Sequence, residues 1–402
     1  MAEPFTLGIN YWPRTKAMYW WQNFDAGEVR DDFALISDIG MTVARIFLLW
    51  DDFQPTPDTV SEDCLKHLET VCNIAVDTGL ELDVTFFTGH MSGPNWSPGW
   101  LLDKNAGYAS PACKQLVSGS EIVDSGYRNM YTDETALNAS RLLLKTVVSR
   151  LKDHDAIWMW NLGNEPDLFA RPPDGAAWVR EMKAIINEID SEHPVTCGLH
   201  NDSILENNGF RIDKVYAETD VAVMHAYPMY SDLAREPLDA DFVPFTCALT
   251  TALCGKPTLM EEFGGCTVGP GQPSDVWEWT AYGQPRTQFM ASEGDLATYL
   301  EAVLPKLVEV GATGAFLWCF PDYVEDLWDR PPNKESKHER FFGIVRPDGS
   351  VKPHASVIKD FADTNPTIQP AKRTIKLDIT PDEYYADPQK YLPDLYKSFV
   401  NQ

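Results

Sequence analysis

Short runs rich in Val, Ile, Leu and Phe alternate along this chain with longer stretches whose apolar residues recur every three or four positions. The short runs cover residues 7–10, 42–48, 81–87, 157–162, 195–199, 221–225, 257–262 and 314–318, and each reads as a strand. Between them, 27–39, 61–78, 134–152, 176–190 and 294–310 read as amphipathic helices, several opened by a capping residue or closed by a glycine such as Gly40, Gly79 or Gly311. Strand and helix in strict alternation is the order expected when parallel strands are joined by crossover helices.

Eight alternations predict an α/β fold of the (β/α)8 TIM-barrel type with long βα loops. A doubly wound sheet would want a glycine-rich turn after its first strand, and Asn10-Tyr11-Trp12-Pro13 stands there instead. We expect one catalytic barrel over residues 1–362, ending on a helix at 353–362. A short C-terminal extension, 363–402, should pack on it; this tail mixes Pro, Tyr and charge with one strand-like run at 374–379. A length of 402 residues suits a single large barrel with a tail.

Composition narrows the partners. A net charge of -27 argues against nucleic acid, whose phosphates need a basic face. The first residues lack a basic segment followed by an apolar one, and no run approaches the ~18 apolar residues of a membrane span. The expectation is a cytoplasmic protein that engages no membrane. The cysteines, Cys64, Cys72, Cys113, Cys197, Cys247, Cys254, Cys266 and Cys319, have no C-x-x-C spacing, so free thiols are expected and neither a metal site nor a cofactor.

In a parallel barrel the reacting groups sit at the C-terminal ends of the strands. Two such ends carry carboxylates about a hundred residues apart, IWMWNLGNEP at 157–166 and KPTLMEEFG at 256–264. Cleaving an acetal between sugars needs one carboxyl group to protonate the leaving oxygen and a second to attack or stabilise the anomeric carbon. Glu165 and Glu262 are the candidates. On strand alternation alone Glu261 is equal to Glu262, and one of the two should face away from the barrel centre. Other strand ends bring Asn10, Trp12, Arg45, His90, Asn164, His200, His225, Tyr227 and Trp318. Trp12, Trp20, Trp21, Trp50, Trp96, Trp100, Trp277, Trp279, Trp318 and Trp328 all fall at strand ends or in the following loops, where indoles could stack on sugar faces.

The triplet Asn164-Glu165-Pro166, with His225-Ala226-Tyr227, Glu262-Phe263-Gly264, Arg45 and Trp318, resembles glycoside hydrolases of clan A, within it the family 5 and mannanase-like enzymes. The resemblance implies Glu165 as acid/base and Glu262, the carboxylate before Phe-Gly, as nucleophile. The anomeric configuration would then be retained, with the carboxyls ~5–5.5 Å apart. It further implies that Asn164 holds a sugar hydroxyl, and that Tyr227 and Arg45 donate to Glu262. His90 and His225 would bond hydroxyls or orient the acid/base, and Trp318, Trp12 and Asn10 would support the sugar.

The expected function is a retaining β-glycosidase, exo-acting on β-mannosides or related short oligosaccharides. The large loops 88–133 and 263–292 could close one end of its cleft. An endo-β-1,4-mannanase or β-glucanase is the alternative; a non-catalytic sugar-binding barrel would be marked by loss of a carboxylate, and both are present.

Overall fold

The computed structural model describes residues 3–106 and 115–402. Eight strands form one parallel sheet: β1 (Thr6–Asn10), β2 (Val43–Phe47), β3 (Glu81–Thr85), β4 (Ile157–Asn164), β5 (Val195–Gly198), β6 (Ala222–His225), β7 (Thr258–Gly264) and β8 (Gly314–Trp318). Their order is β5-β4-β3-β2-β1-β8-β7-β6. The two end strands meet through a parallel bridge between His200 and His225, and His225 N–H donates to the Leu199 carbonyl at 3.1 Å. The sheet is thereby a (β/α)8 barrel, as the strand count predicts, and every strand edge lies within two residues of its expected place.

Helices cover the outside. Asp25, Ser61, Asp133, Asp174 and Ser292 each accept a backbone N–H of the first turn of the helix they open, satisfying one of the donors that every helix start leaves free. The helix Phe242–Cys254 is apolar nearly all round, so it carries no amphipathic signal of a surface helix. Its outer face is covered by the tail: Phe245 packs on Tyr396 and Phe399 of the helix Pro388–Val400, with ring centres 4.8 and 5.6 Å apart.

The tail is helical. Residues 374–379 form no strand, because no sheet edge is offered to them; two helices, Pro381–Ala386 and Pro388–Val400, follow instead. Tyr385 fixes the first, donating to the Ser203 carbonyl at 2.8 Å and accepting from Ile212 N–H at 3.0 Å. Cys113 lies outside the described residues, and the remaining cysteines are free thiols. Among the described residues no helix is long and apolar enough to cross a membrane.

Candidate active site

Strand β7 breaks its own alternation. Its register against β6 shifts between Met260 and Glu262, and against β8 between Met260 and Phe263, the signature of a bulge. Consecutive carboxylates therefore turn to the same side, and both reach Arg45: Nη2 lies 3.4 Å from Glu261 and Nη1 3.2 Å from Glu262. This corrects the expectation that one of the pair faces away from the barrel centre.

Beneath the site lies a floor of paired charge. Arg45 is wholly buried, and its Nε also donates to Thr85 at 3.0 Å and faces Asp83 at 3.8 Å. Asn10 accepts from Arg45 at 3.1 Å while donating to the Glu261 and Leu317 carbonyls, so it braces the guanidinium between strands. Glu261 takes hydrogen bonds from Asn161 at 3.0 Å and from His225 Nε2 at 2.8 Å. Gly198 makes this possible, since a Cβ there would lie 2.7 Å from Arg45 Nη2 and 2.8 Å from Glu261. Burial pushes Asp83 well above the carboxylate range and the Glu261 charge adds to it, whereas Arg45 and His225 overcome burial and hold Glu261 low.

Above the floor sits a cavity of about 550 Å³. Glu165 enters it from the end of β4 in a left-handed conformation, φ 47°, with its N–H bound to the Gly198 carbonyl at 2.8 Å. Its Oε1 is 3.1 Å from His225 Nδ1 and its Oε2 is 3.9 Å from His90. Glu262 accepts from the Tyr227 hydroxyl at 2.7 Å and from Arg45. A carboxylate oxygen of Glu165, one of Glu262 and a ring nitrogen of His225 all lie within 4.8 Å of one another. Such a trio has the spacing of a metal site, but both His225 nitrogens already face carboxylates and its pKa is raised to about 9 against the opposing effect of burial. An imidazolium in an ion-pair network fits that better than a metal ligand, which needs a free lone pair.

Of the residues expected from sequence, Glu165, Glu262, Asn164, His90, Tyr227 and Trp318 line the cavity. Arg45 and His225 lie below it and act on the carboxylates, and Asn10 lies there bracing Arg45. Trp12 does not reach it: it is fully buried, stacked on Phe47 with ring centres 5.0 Å apart. Trp318 is the one tryptophan among the described lining residues. The other strand-end indoles pack on neighbouring rings, as Trp20 does on Trp21 and Trp50 on Trp100, because long loops need aromatic cores of their own. Sequence reasoning missed Glu339 and His338 after β8. It also missed Arg286 and Gln288 on the hairpin Asp275–Ala281/Gln284–Met290, and Asp202 beside His200.

The histidines around Glu165 set the resting charge state. Burial would raise Glu165, yet His200, His225 and His90 around it prevail and hold it down at about 2. His200 itself is raised to about 10: burial works against its charge, and Glu165 and Asp202 outweigh that. Glu262 moves up, through burial and the Glu165 charge, against the pull of His225 and Arg45. In this resting state the protons near Glu165 sit on histidines, one of them in hydrogen-bond contact with it.

A parallel barrel with two close carboxyls in a polar cavity at the C-terminal ends of its strands defines a glycoside hydrolase barrel. The chain belongs to the family described as "Glycosyl hydrolases family 2, TIM barrel domain", whose model matches residues 106–361. It is 24% identical over 286 residues to a probable mannan endo-1,4-beta-mannosidase F of Aspergillus flavus, a match covering 63% of this chain and 57% of the fungal one. The chain thus spans little more than half the length of that curated relative. Among solved structures, an exo-beta-1,4-mannosidase from Opitutaceae bacterium strain TAV5 superposes with a TM-score of 0.72 at 24% identity, over 90% of this chain and 60% of that one. A GH5_18 protein from Streptomyces cattleya, crystallised with GlcNAc, gives 0.78 at 19% identity over 99% and 91%. These structures share the fold, and the sequence relatives named as mannan endo-1,4-beta-mannosidases are similar to the chain.

Proposed function

We propose that the protein is a retaining β-glycosidase that removes single sugars from β-mannosides or related short oligosaccharides. The observation that carries this is the separation of Glu165 and Glu262, whose nearest oxygens are within 4.8 Å. A retaining pair stands ~5–5.5 Å apart, whereas an inverting pair needs roughly 6.5–9.5 Å to admit a water. In the first step Glu262 attacks the anomeric carbon while Glu165 protonates the departing oxygen. In the second, water adds to that carbon as Glu165 takes its proton and Glu262 leaves. Tyr227 and Arg45 hold the Glu262 oxygens by hydrogen bonds that aim its carboxylate before the attack and receive its charge again as it leaves.

The proton for the first step is near at hand. A sugar filling the cavity displaces water and deepens burial, which penalises the charged form of Glu165. His225 Nδ1, 3.1 Å away, can then pass its proton to the carboxylate. Exo action is favoured by the cavity, which falls in the roughly 300–1,000 Å³ class that encloses a small ligand, with walls from residues 90–93 on one side and the 284–290 strand on another. The endo alternative is kept alive by the fungal relative, named for endo action on mannan.

The test is turnover of aryl β-glycosides (mannoside, glucoside, galactoside, xyloside), with NMR of the first-formed anomer and product analysis on manno-oligosaccharides. Release of nitrophenol with a β-anomer first, and mannose as sole small product, is the expected result. An α-anomer first would overturn retention. Mid-chain cutting would select endo action, and binding without turnover a sugar-binding barrel.

A further inference from the structure

Besides Asp202, which is paired with His200, a further carboxyl group lines the same cavity and has no part in the double displacement. Glu339, on the short 3-10 helix Lys337–Phe341 after β8, lines the wall and is 8% exposed. Among the described residues no lysine or arginine pairs with it; its ion-pair contact is His338 Nε2 at 3.3 Å. Burial holds His338 down to about 3, so that ring is a neutral donor and not a counter-ion. A buried carboxyl faced by no lysine or arginine is costly and should ionise reluctantly; burial pushes Glu339 up to about 7, although Ser92, Trp318 and the His90 charge work the other way. A fold that keeps such a group at a cavity wall calls for a ligand with hydroxyl donors to complete its hydrogen bonding.

Its neighbours belong to the sugar site. Ser92 and Trp318 approach its carboxyl, and the Glu262 charge reaches it. Gly93, at φ 106°, is what lets the two loops meet: a Cβ there would come within 2.6 Å of the Ser336 hydroxyl. A sugar resting on Trp318 with its anomeric carbon at Glu262 would share the cavity with this wall.

We infer that Glu339 is a substrate-contacting, specificity-determining residue, its carboxyl accepting hydrogen bonds from one or two hydroxyls of the sugar undergoing cleavage. The inference rests on the glycosidase reading above. A carboxylate accepts from two neighbouring hydroxyls and donates to none when ionised, so it selects sugars by where those hydroxyls point. Removing a hydroxyl that a buried acceptor needs leaves that acceptor unpaired, which is why such contacts discriminate strongly.

The experiment compares aryl β-mannoside with its monodeoxy analogues, in wild type, Glu339→Gln and Glu339→Ala, with thermal melts confirming that each variant is folded. Wild type should lose roughly 100-fold in kcat/KM on one particular deoxy analogue. Both variants should lose a similar factor on the parent sugar and little more on that analogue, the penalties merging into one. Unchanged deoxy penalties in folded Glu339→Ala would overturn the inference. Should both variants fail to fold, Ser92→Ala must weaken the same penalty, and failure to do so also overturns it. Absence of turnover in wild type on the whole glycoside panel would instead sink the glycosidase reading. Glu339 would then be judged by tryptophan-fluorescence titration with free mannose, where binding unaltered in Glu339→Gln refutes the contact.

Discussion

The floor and the wall of the cavity are built from opposite materials. The floor is strand-borne, fully buried and charged, with Arg45 facing Asp83, Glu261 and Glu262 at 3.2–3.8 Å. The wall is loop-borne and polar, with His90, Ser92, Arg286, Gln288, His338 and Glu339 arriving from three separate loops. Charges in the floor answer one another, whereas among the described residues Glu339 in the wall faces no lysine or arginine. On the function proposed above, this difference separates residues that hold the reacting groups in place from residues that meet the sugar. Substitutions in the two regions should fail in different ways.

The largest effects belong to the two groups standing between floor and wall. On the double displacement proposed above, Glu262→Ala should lower kcat by on the order of 10⁴-fold or more, since no covalent intermediate could form. Glu165→Ala should cost roughly 10²–10⁴-fold, the range of a general acid/base, and less on substrates whose leaving group needs no proton. Steady-state kinetics on aryl glycosides with good and poor leaving groups reads both. Equal losses on all leaving groups in Glu165→Ala would remove it from the acid/base role.

Arg45 comes next, and its failure should be of stability first. Arg45→Met leaves Glu261, Glu262 and Asp83 buried around an uncharged chain, a loss of about 3–5 kcal/mol of the kind seen when one partner of a buried pair is removed. Arg45→Lys should not rescue it, because one ammonium cannot reach Thr85, Asn10 and two carboxylates in the geometry of the guanidinium fork. Chemical denaturation of both variants checks this. A melt like that of wild type in Arg45→Met would mean the floor is not held by charge.

The same division explains what could be read from sequence. Eight strands and six of the helices were legible because periodicity and caps are local properties of the chain. The catalytic candidates were legible because a barrel puts its chemistry at strand ends, so Glu165 and Glu262 need only a strand to be found. The bulge in β7 was not, since it depends on how Met260 and Phe263 register against two neighbouring strands. Glu339 and Arg286 were not either: they lie 21 and 24 residues beyond Trp318 and Glu262, in loops whose path is set by packing and not by period. The helix Phe242–Cys254 was hidden because the tail that buries its outer face lies far along the chain.

A smaller effect follows from the histidine between the carboxylates. His225 is raised from an ordinary 6.5 to about 9 by Glu262, Glu165 and Glu261, although burial and Arg45 oppose it. A histidine raised on folding lends stability that is complete below pH 6.5 and fades as pH climbs through 9. Each tenfold gain in proton affinity contributes at most about 1.4 kcal/mol, and less where the neighbouring groups titrate with it. Melting temperatures of wild type should therefore fall between pH 6.5 and 9, and those of His225→Gln should fall less steeply. His200, raised to about 10, keeps some slope in the variant. Parallel curves for the two proteins would show that His225 carries no charge in the folded state.

The smallest effect is assigned to a residue whose sequence position suggested a role in binding sugar. Trp12 is wholly buried on Phe47, outside the cavity, and its indole N–H has no hydrogen-bond partner among the described residues. In Trp12→Phe a ring still stacks on Phe47, and the unpaired N–H disappears. Lost packing of roughly 1–1.5 kcal/mol is thus offset by relief of a buried donor that costs about 1–3. The expected outcome is a melting temperature within a few degrees of wild type and an unchanged KM. Trp318→Phe is the contrast, because that indole lines the cavity and approaches Glu339; its KM should rise while its melt stays close to wild type. If instead Trp12→Phe raises KM, the floor responds to substrate as the wall does. The boundary between holding and meeting the sugar would then have to be drawn below Phe47.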